Sequence, residues 1–352
     1  MWRWTMFRYH GWRARAGRLA LLAALVWPAA PASAADSAVV FLYQRFADPR
    51  LPGISIELDQ FEAHLAEIAA GRFNVAPLDE VVGAFRRRES LPERSIAISI
   101  DGADATVWHE AWPRLRRAGL PFTLFVATDV VDSGRPGYMS WDQIRELAAS
   151  GVTIASQGAS EPRYPELGPE AKRREIARAT RRFTEELGFA PTLFAYPFGE
   201  YGIADKQVVR ELGFEAAFGQ HSGVGHADAD LYGLPRFLMN SSFGSLERFR
   251  LAANALPLYL ADLTPADTVL GPDHNPPTFG FTLAPGQGGA DALECFASNR
   301  DGPLTVETLG ADRIEIRLAR PFAPGRARIN CTLPADDGRW RWFGLQFYVR
   351  GG

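Results

Sequence analysis

The stretch Ser95-Ile96-Ala97-Ile98-Ser99-Ile100-Asp101 alternates apolar residues and ends in an acid, with Asp104 three positions on. A helical run follows, then a second apolar strand over 122–127. The three read as a βαβ unit with Asp101 at the carboxyl end of its strand. Barrels and open parallel sheets both keep their chemistry at that end, where a carboxylate can act as a general base. Gln157 and Glu161 follow another strand, over 152–156. Asp101, Asp104 and Glu161 together would make an all-oxygen cluster better suited to magnesium, calcium or manganese than to zinc. Other roles compete: Asp104 as the cap of a helix beginning near Thr106, and Asp101 as a hydrogen-bonding partner of the loop over 196–199. His221 and His226 lie in a Gly-rich loop after a strand over 216–219. There they either face the same mouth, as proton donors or surrogate ligands, or stand in solvent. His109 falls on the surface of its helix, whose buried stripe is Trp108, Trp112 and Leu115.

These residues need a scaffold. From 38 to 255, short apolar strands alternate with amphipathic helices, the helices over 58–69, 106–117, 141–149, 169–187 and 204–212. That alternation predicts a parallel α/β fold, with a doubly wound sheet and a barrel both compatible. The composition then shifts to Pro, Asp, Gly and Asn, and 256–277, closing on Pro276-Pro277, reads as a linker. Beyond it, 278–352 holds short alternating strands of a small β-sandwich-like domain. Its last strand, over 340–349, sets Trp340 and Trp342 on one face and Phe343 and Phe347 on the other. One set either stacks on sugar rings or joins the core.

The amino terminus carries Arg3, Arg8, Arg13, Arg15 and Arg18, then an apolar run over 19–27 and the small residues Ala32-Ser33-Ala34-Ala35. This reads as a signal peptide over 1–34, with the apolar run short of the roughly 20 residues that span a bilayer. The expected location is periplasmic or secreted, with no stable membrane insertion after cleavage. A net charge of −3 with no basic stripe argues against a nucleic-acid partner. The two cysteines, Cys295 and Cys331, both fall in the last quarter. In an oxidising compartment they read as a structural disulfide worth about 3 to 4 kcal/mol on the chain-entropy model.

Three segments in order carry a family resemblance. The first, Ser99-Ile100-Asp101-Gly102, resembles the T-F-D-D-G motif of polysaccharide deacetylases (the NodB-homology group, carbohydrate esterase family 4). The second, Gln157-Gly158-Ala159-Ser160-Glu161, resembles the family's H-[ST]-x-x-[HD]. The third, Ala195-Tyr196-Pro197-Phe198-Gly199, resembles R-x-P-[YF]-G, and Tyr43-Gln44 stands where relatives often read Y-H. The resemblance spans roughly 38–255 and implies a distorted (β/α) barrel of the NodB type.

It also implies roles. Asp101 takes the place of the base, Phe198 that of a backbone donor to the oxyanion, and Tyr196, Pro197 and Gly199 line the substrate. A divalent metal (zinc, cobalt or manganese) is implied, with Glu161, Gln157 and Asp104 as candidate ligands. Gly102 occupies the position of the family's Asp ligand and offers no side-chain donor, while a neutral Gln carbonyl suits zinc or cobalt poorly. The implied partner is a polysaccharide or oligosaccharide. Three functions follow: an exported deacetylase removing N-acetyl or O-acetyl groups from a hexosamine-containing glycan, an inactive homologue that binds glycan and assists exopolysaccharide processing, or a binding module whose β-sandwich recognises the ligand.

Overall fold

Two strands, β1 (Ser37–Tyr43) and β2 (Ser95–Asp101), are buried along nearly their whole length, which is why both read as apolar runs rather than half-exposed strands. In the computed structural model, which describes residues 34–351, they pair in parallel, Val39 opposite Ile96 and Tyr43 opposite Ile100. The sheet grows in chain order through β3 (Thr123–Val126), β4 (Thr153–Ser156), β5 (Leu193–Ala195) and β6 (Ala216–Phe218), every pair parallel.

The sheet then curls until its edges meet. β7 (Phe237–Leu238) pairs with Phe41 and Leu42 of β1, and just before it Leu234 bridges Phe218 of β6. The segment 234–238 therefore joins the last strand to the first and gives the distorted (β/α) barrel that the resemblance implies.

Side chains alternate between the two faces of each strand. Phe41, Ile96, Ile98 and Leu124 point outward onto the helices α1 (Leu58–Glu67), α3 (Trp112–Ala118), α4 (Trp141–Ala149) and α5 (Pro169–Leu187), meeting Phe61, Leu115, Ile144 and Phe183. Each fully buried Phe or Ile contributes about 1.5–3 kcal/mol. Val40, Ala97, Phe125, Ala155, Ala195 and Phe218 fill the interior with Val81, Val82 and Phe85 of α2 (Leu78–Arg87). Ser99 and Asp101 share this inner face with Ala97. Two more helices, α6 (Ile203–Glu211) and α7 (Leu246–Ala253), complete the barrel.

Residues 256–277, expected as a linker, instead contribute strands to the carboxyl-terminal sheets. β8 (Leu260–Thr264) pairs antiparallel with β9 (Phe279–Leu283), and Leu256–Pro257 and Val269–Leu270 run parallel to the last strand. Pro and Asp are tolerated there because these short strands need few ladder hydrogen bonds. One sheet has the order β8-β9-β12-β11, with β11 (Thr305–Leu309) and β12 (Arg313–Arg317); the other joins β10 (Glu294–Ala297), β13 (Gly325–Pro334) and β14 (Trp340–Val349). Phe279, Phe281 and Ile314 of the first meet Ile329, Leu345 and Phe347 of the second in one core. Cys295 and Cys331 lie directly opposite on β10 and β13 and are disulfide-bonded.

The other face of β14 docks on the barrel. Trp342 packs edge-on against Phe237 at 5.2 Å, the Tyr348 hydroxyl bonds Glu166, and a Cβ at Gly344 would sit 2.1 Å from the Ser222 carbonyl oxygen. Only glycine allows that approach. The Trp340/Trp342 face is thus largely an internal interface, with Trp340 left 37 % exposed. Of the expected signal segment over 1–34, residues 1–33 lie outside the described residues. Among the described residues no helix is long and apolar enough to cross a membrane.

Two histidines are locked in the interior. His64 accepts from the Tyr43 hydroxyl at Nδ1 (2.9 Å) and donates from Nε2 to the Gly244 carbonyl (2.9 Å), and burial pushes its pKa from 6.5 down to about 4. Burial pushes His221 down to about 3. In the unfolded chain both protonate near 6.5, so as pH falls the unfolded state binds protons that the folded state refuses. This stability is complete above about pH 6.5 and drains as pH drops through about 4. Urea midpoints measured from about pH 7 to about pH 4.5 are expected to fall, and to fall less steeply in His64→Gln. Equal slopes in the two proteins would refute this account.

The barrel's closing segment also sets a stability test. It brings Arg236, fully buried, onto Asp101. Arg236→Met leaves the Asp101 carboxylate buried without its partner and is expected to lose about 3–5 kcal/mol in urea unfolding, much of it restored by adding Asp101→Asn. A loss below about 1 kcal/mol would contradict this dependence.

Candidate functional site

A cleft of about 500 Å3 opens at the carboxyl ends of the barrel strands, within the range of small-ligand sites. Asp101 lies at its floor, 4 % exposed. Arg236 grips it with a two-pronged contact, Nη1 to Oδ1 at 2.6 Å and Nη2 to Oδ2 at 2.8 Å. The guanidinium also donates from Nε to the Gly219 carbonyl (2.9 Å) and from Nη1 to Ser99 Oγ (3.3 Å). It lies over the rings of Phe125 and Phe218 at 5.1 and 5.8 Å. Gln220 Nε2 gives Asp101 a third contact at 3.3 Å.

Arg236 was not among the residues that motif and spacing single out. The third motif reads Ala195 where relatives carry Arg, and here the cation reaches the carboxylate from the strand that closes the barrel. A lone Arg inside the apolar run Leu234-Pro235-Arg236-Phe237-Leu238 is the signal that could have found it, because such a charge must meet a buried partner.

The implied metal ligands are placed as follows. Gly102 borders the cleft with φ +89°, its N–H bonded to the Phe125 carbonyl (2.8 Å), and a Cβ there would meet open space. Gln157, 3 % exposed, is held by its N–H on the Val126 carbonyl (2.9 Å), and its Oε1 has no hydrogen-bond partner. Glu161 sits at φ +54° on a loop that Glu175 of α5 pins through the Ala159 N–H (2.9 Å) and the Ser160 hydroxyl (3.0 Å). Burial, then the negative charge of Asp101, raises the Glu161 pKa above the usual carboxylate range, against the opposing pull of Arg45.

Asp104 does not join them. Its Oδ1 accepts from the Thr106 N–H (3.0 Å) and hydroxyl (2.6 Å) at the start of the helix, and its Oδ2 pairs with Arg45 at 3.1 Å, so both oxygens are engaged. The donor set at the cleft is then one carboxylate with a raised pKa, one neutral amide and a glycine. That set does not fit zinc, cobalt or manganese, and among the described residues no group of three or more His, Cys, Asp or Glu side chains could hold a metal ion.

The third motif forms the rim and what lies beneath it. Phe198, at φ +61° and 39 % exposed, borders the cleft. Its carbonyl accepts from Gln346 Nε2 of β14 at 3.0 Å, and Gln346 Oε1 accepts from Arg328 at 3.1 Å. Gly199 is required at φ +69°, since a Cβ would meet the Gln220 nitrogen at 2.5 Å. Tyr196 and Pro197, expected to line the substrate, are buried instead. The Tyr196 ring stacks on Tyr201, and its hydroxyl donates to the Tyr232 carbonyl (3.0 Å). The outward-inward alternation of β5 turns Tyr196 away from the cleft. His221 is neither in solvent nor at the cleft; it is buried beside Tyr201, and its Nδ1 has no hydrogen-bond partner. His226 packs edge-on against Tyr259, and His109 is exposed as expected. From the carboxyl-terminal part, Arg326 and Arg328 reach the cleft.

With this geometry in hand, the comparisons converge. Residues 88–217 match the family model of polysaccharide deacetylases. The chain is 21 % identical over 191 residues to a putative polysaccharide deacetylase of Bacillus subtilis, YxkH, covering 53 % of this chain and 68 % of that protein. It is 20 % identical over 214 residues to a poly-β-1,6-N-acetyl-D-glucosamine N-deacetylase of Staphylococcus aureus, covering 57 % and 73 %. Among solved structures, IcaB from Ammonifex degensii shares the fold with a TM-score of 0.56 and 24 % identity, over 63 % of this chain and 98 % of that one. The deacetylase PplD of Streptococcus pyogenes shares it with a TM-score of 0.57 and 17 % identity, over 62 % and 98 %. Within the barrel, residues 88–217 thus match a polysaccharide deacetylase domain, on a fold shared with solved deacetylases.

Proposed function

We propose that the cleft binds a segment of an N-acetylhexosamine polysaccharide outside the cytoplasm and that the chain acts there as a glycan-binding homologue of the deacetylases rather than as a metal-dependent hydrolase. One observation carries this reading. At the three positions where the motifs place metal ligands stand Gly102, Gln157 and Glu161, of which one is anionic. The N-deacetylase activity for which the staphylococcal relative is named supports the glycan class. The Arg-rich and apolar amino terminus, together with the Cys295–Cys331 disulfide, supports export.

A second reading has its own support. Asp101 is oriented by Arg236 and Gln220, and Glu161, with its raised pKa, lies at the same cleft. An oriented carboxylate and a second carboxyl group at one cleft are groups that acid–base chemistry can use, so hydrolysis of an acetyl group without metal is the competing function.

Calorimetry and acetate release separate the two on metal-stripped protein with a β-1,6-linked N-acetylglucosamine oligosaccharide. The expected outcome is binding that added zinc does not change, with no acetate released. Zinc-dependent release that disappears in Asp101→Asn would overturn the proposal. Release without metal, lost in both Asp101→Asn and Glu161→Gln, would establish the second reading.

A further inference from the structure

A groove of about 870 Å3 continues from the cleft, and the two share Gln220, Leu238, Phe243 and Arg328. One wall is α7 and its approach; the other is the outer ends of β13 and β14. Aromatic surface is presented there by Trp340 and Phe243, 37 % and 46 % exposed, with Trp342 deeper in the wall. An aromatic plane with one free face suits the apolar C–H face of a pyranose ring.

The charges of this groove are unbalanced. Four arginines line it. Arg250 is paired with Glu67 at 2.6 Å, and Arg339 with Asp337 at 2.6 Å and Glu93 at 3.3 Å. The remaining two have no acidic partner among the described residues. Arg248 lies over the Phe243 ring at 5.1 Å, and its buried Nε has no hydrogen-bond acceptor. Arg328 has the Gln346 amide oxygen. Burial lowers the pKa of both below the usual guanidinium range. Facing them, Asp337 is already engaged by Arg339, and Glu247 stands exposed on α7. A partly buried guanidinium without an anion is an unfavourable arrangement that a bound carboxylate relieves, and its planar fork matches that carboxylate. A neutral N-acetylglucosamine polymer supplies no such group.

We infer that this groove is a subsite for an acidic glycan, with one ring on Trp340 and the carboxylate of a unit further along the glycan against Arg248 and Arg328, so that the chain prefers glycans in which N-acetylhexosamine and uronic acid units occur together. The inference rests on the glycan-binding reading of the cleft and adds the charge class of the ligand.

Calorimetry on the full chain compares a hexasaccharide of alternating glucuronate and N-acetylglucosamine with an N-acetylglucosamine hexasaccharide. The acidic ligand is expected to bind about tenfold tighter, equivalent to about 1.4 kcal/mol, with an advantage that shrinks as salt is raised. Arg248→Gln, with the circular dichroism of the parent, is expected to remove most of that advantage while leaving the neutral hexasaccharide's affinity unchanged, and Trp340→Ala is expected to weaken both ligands. Equal affinity for the two ligands, or a preference untouched by Arg248→Gln, overturns the acidic subsite and leaves the cleft reading intact. Failure of both ligands to bind overturns the cleft reading, and the subsite falls with it.

Discussion

The buried pair of Asp101 and Arg236 sits where the barrel closes, and much of the molecule is arranged to make it tolerable. Removing two charges from water is expensive, and their attraction offsets that expense only when geometry and hydrogen bonding are good. Here the guanidinium fork meets both carboxylate oxygens, its remaining N–H groups reach Ser99 and Gly219, and two aromatic faces flank it. The strand register follows from the same demand. Asp101 must face inward with Ser99, and the segment 234–238 must bridge β6 and β1 to deliver Arg236. The ion pair is therefore a fastening of the sheet as well as the floor of the cleft.

A second consequence concerns what that floor can do. Deacetylases of this family are expected to use the carboxylate beside a divalent metal. Here Arg236 orients the carboxylate while Gly102, Gln157 and Glu161 stand at the neighbouring donor positions, so the acid is oriented by the protein itself. Gln157 keeps the place and burial of a ligand while presenting a neutral oxygen with no partner. A cleft built this way still has shape, an aromatic rim at Phe198 and polar groups at its base. Those features are the ones the glycan-binding proposal rests on.

Much of this was legible in the chain and some was not, for physical reasons. The helices over 141–149 and 169–187 coincide with α4 and α5, since strong amphipathic periodicity and clear caps bound them. The strands around Asp101, Gln157 and Phe198 lie where their apolar runs place them. Arg236 was hidden because the partner of Asp101 is 135 residues away and occupies no motif. Tyr196 was misplaced because a motif gives order along the chain and not the face of a strand. The linker composition of 256–277 concealed short strands, because pairing with β9 and β14 outweighs weak local propensity. His221 reads as a loop residue by its glycine neighbours, yet the loop folds under the docked sandwich.

The reach of β14 back to the cleft fixes the order in which the cleft can be completed. The Phe198 carbonyl is satisfied by Gln346, 148 residues further along, and Gly344 of the same strand closes on Ser222. A barrel emerging amino terminus first has its floor once residue 238 is available, but its rim waits for the final strand. During synthesis the chain therefore passes through a stage in which the sheet can close while the mouth is still unformed. The finished rim arrives only with β14.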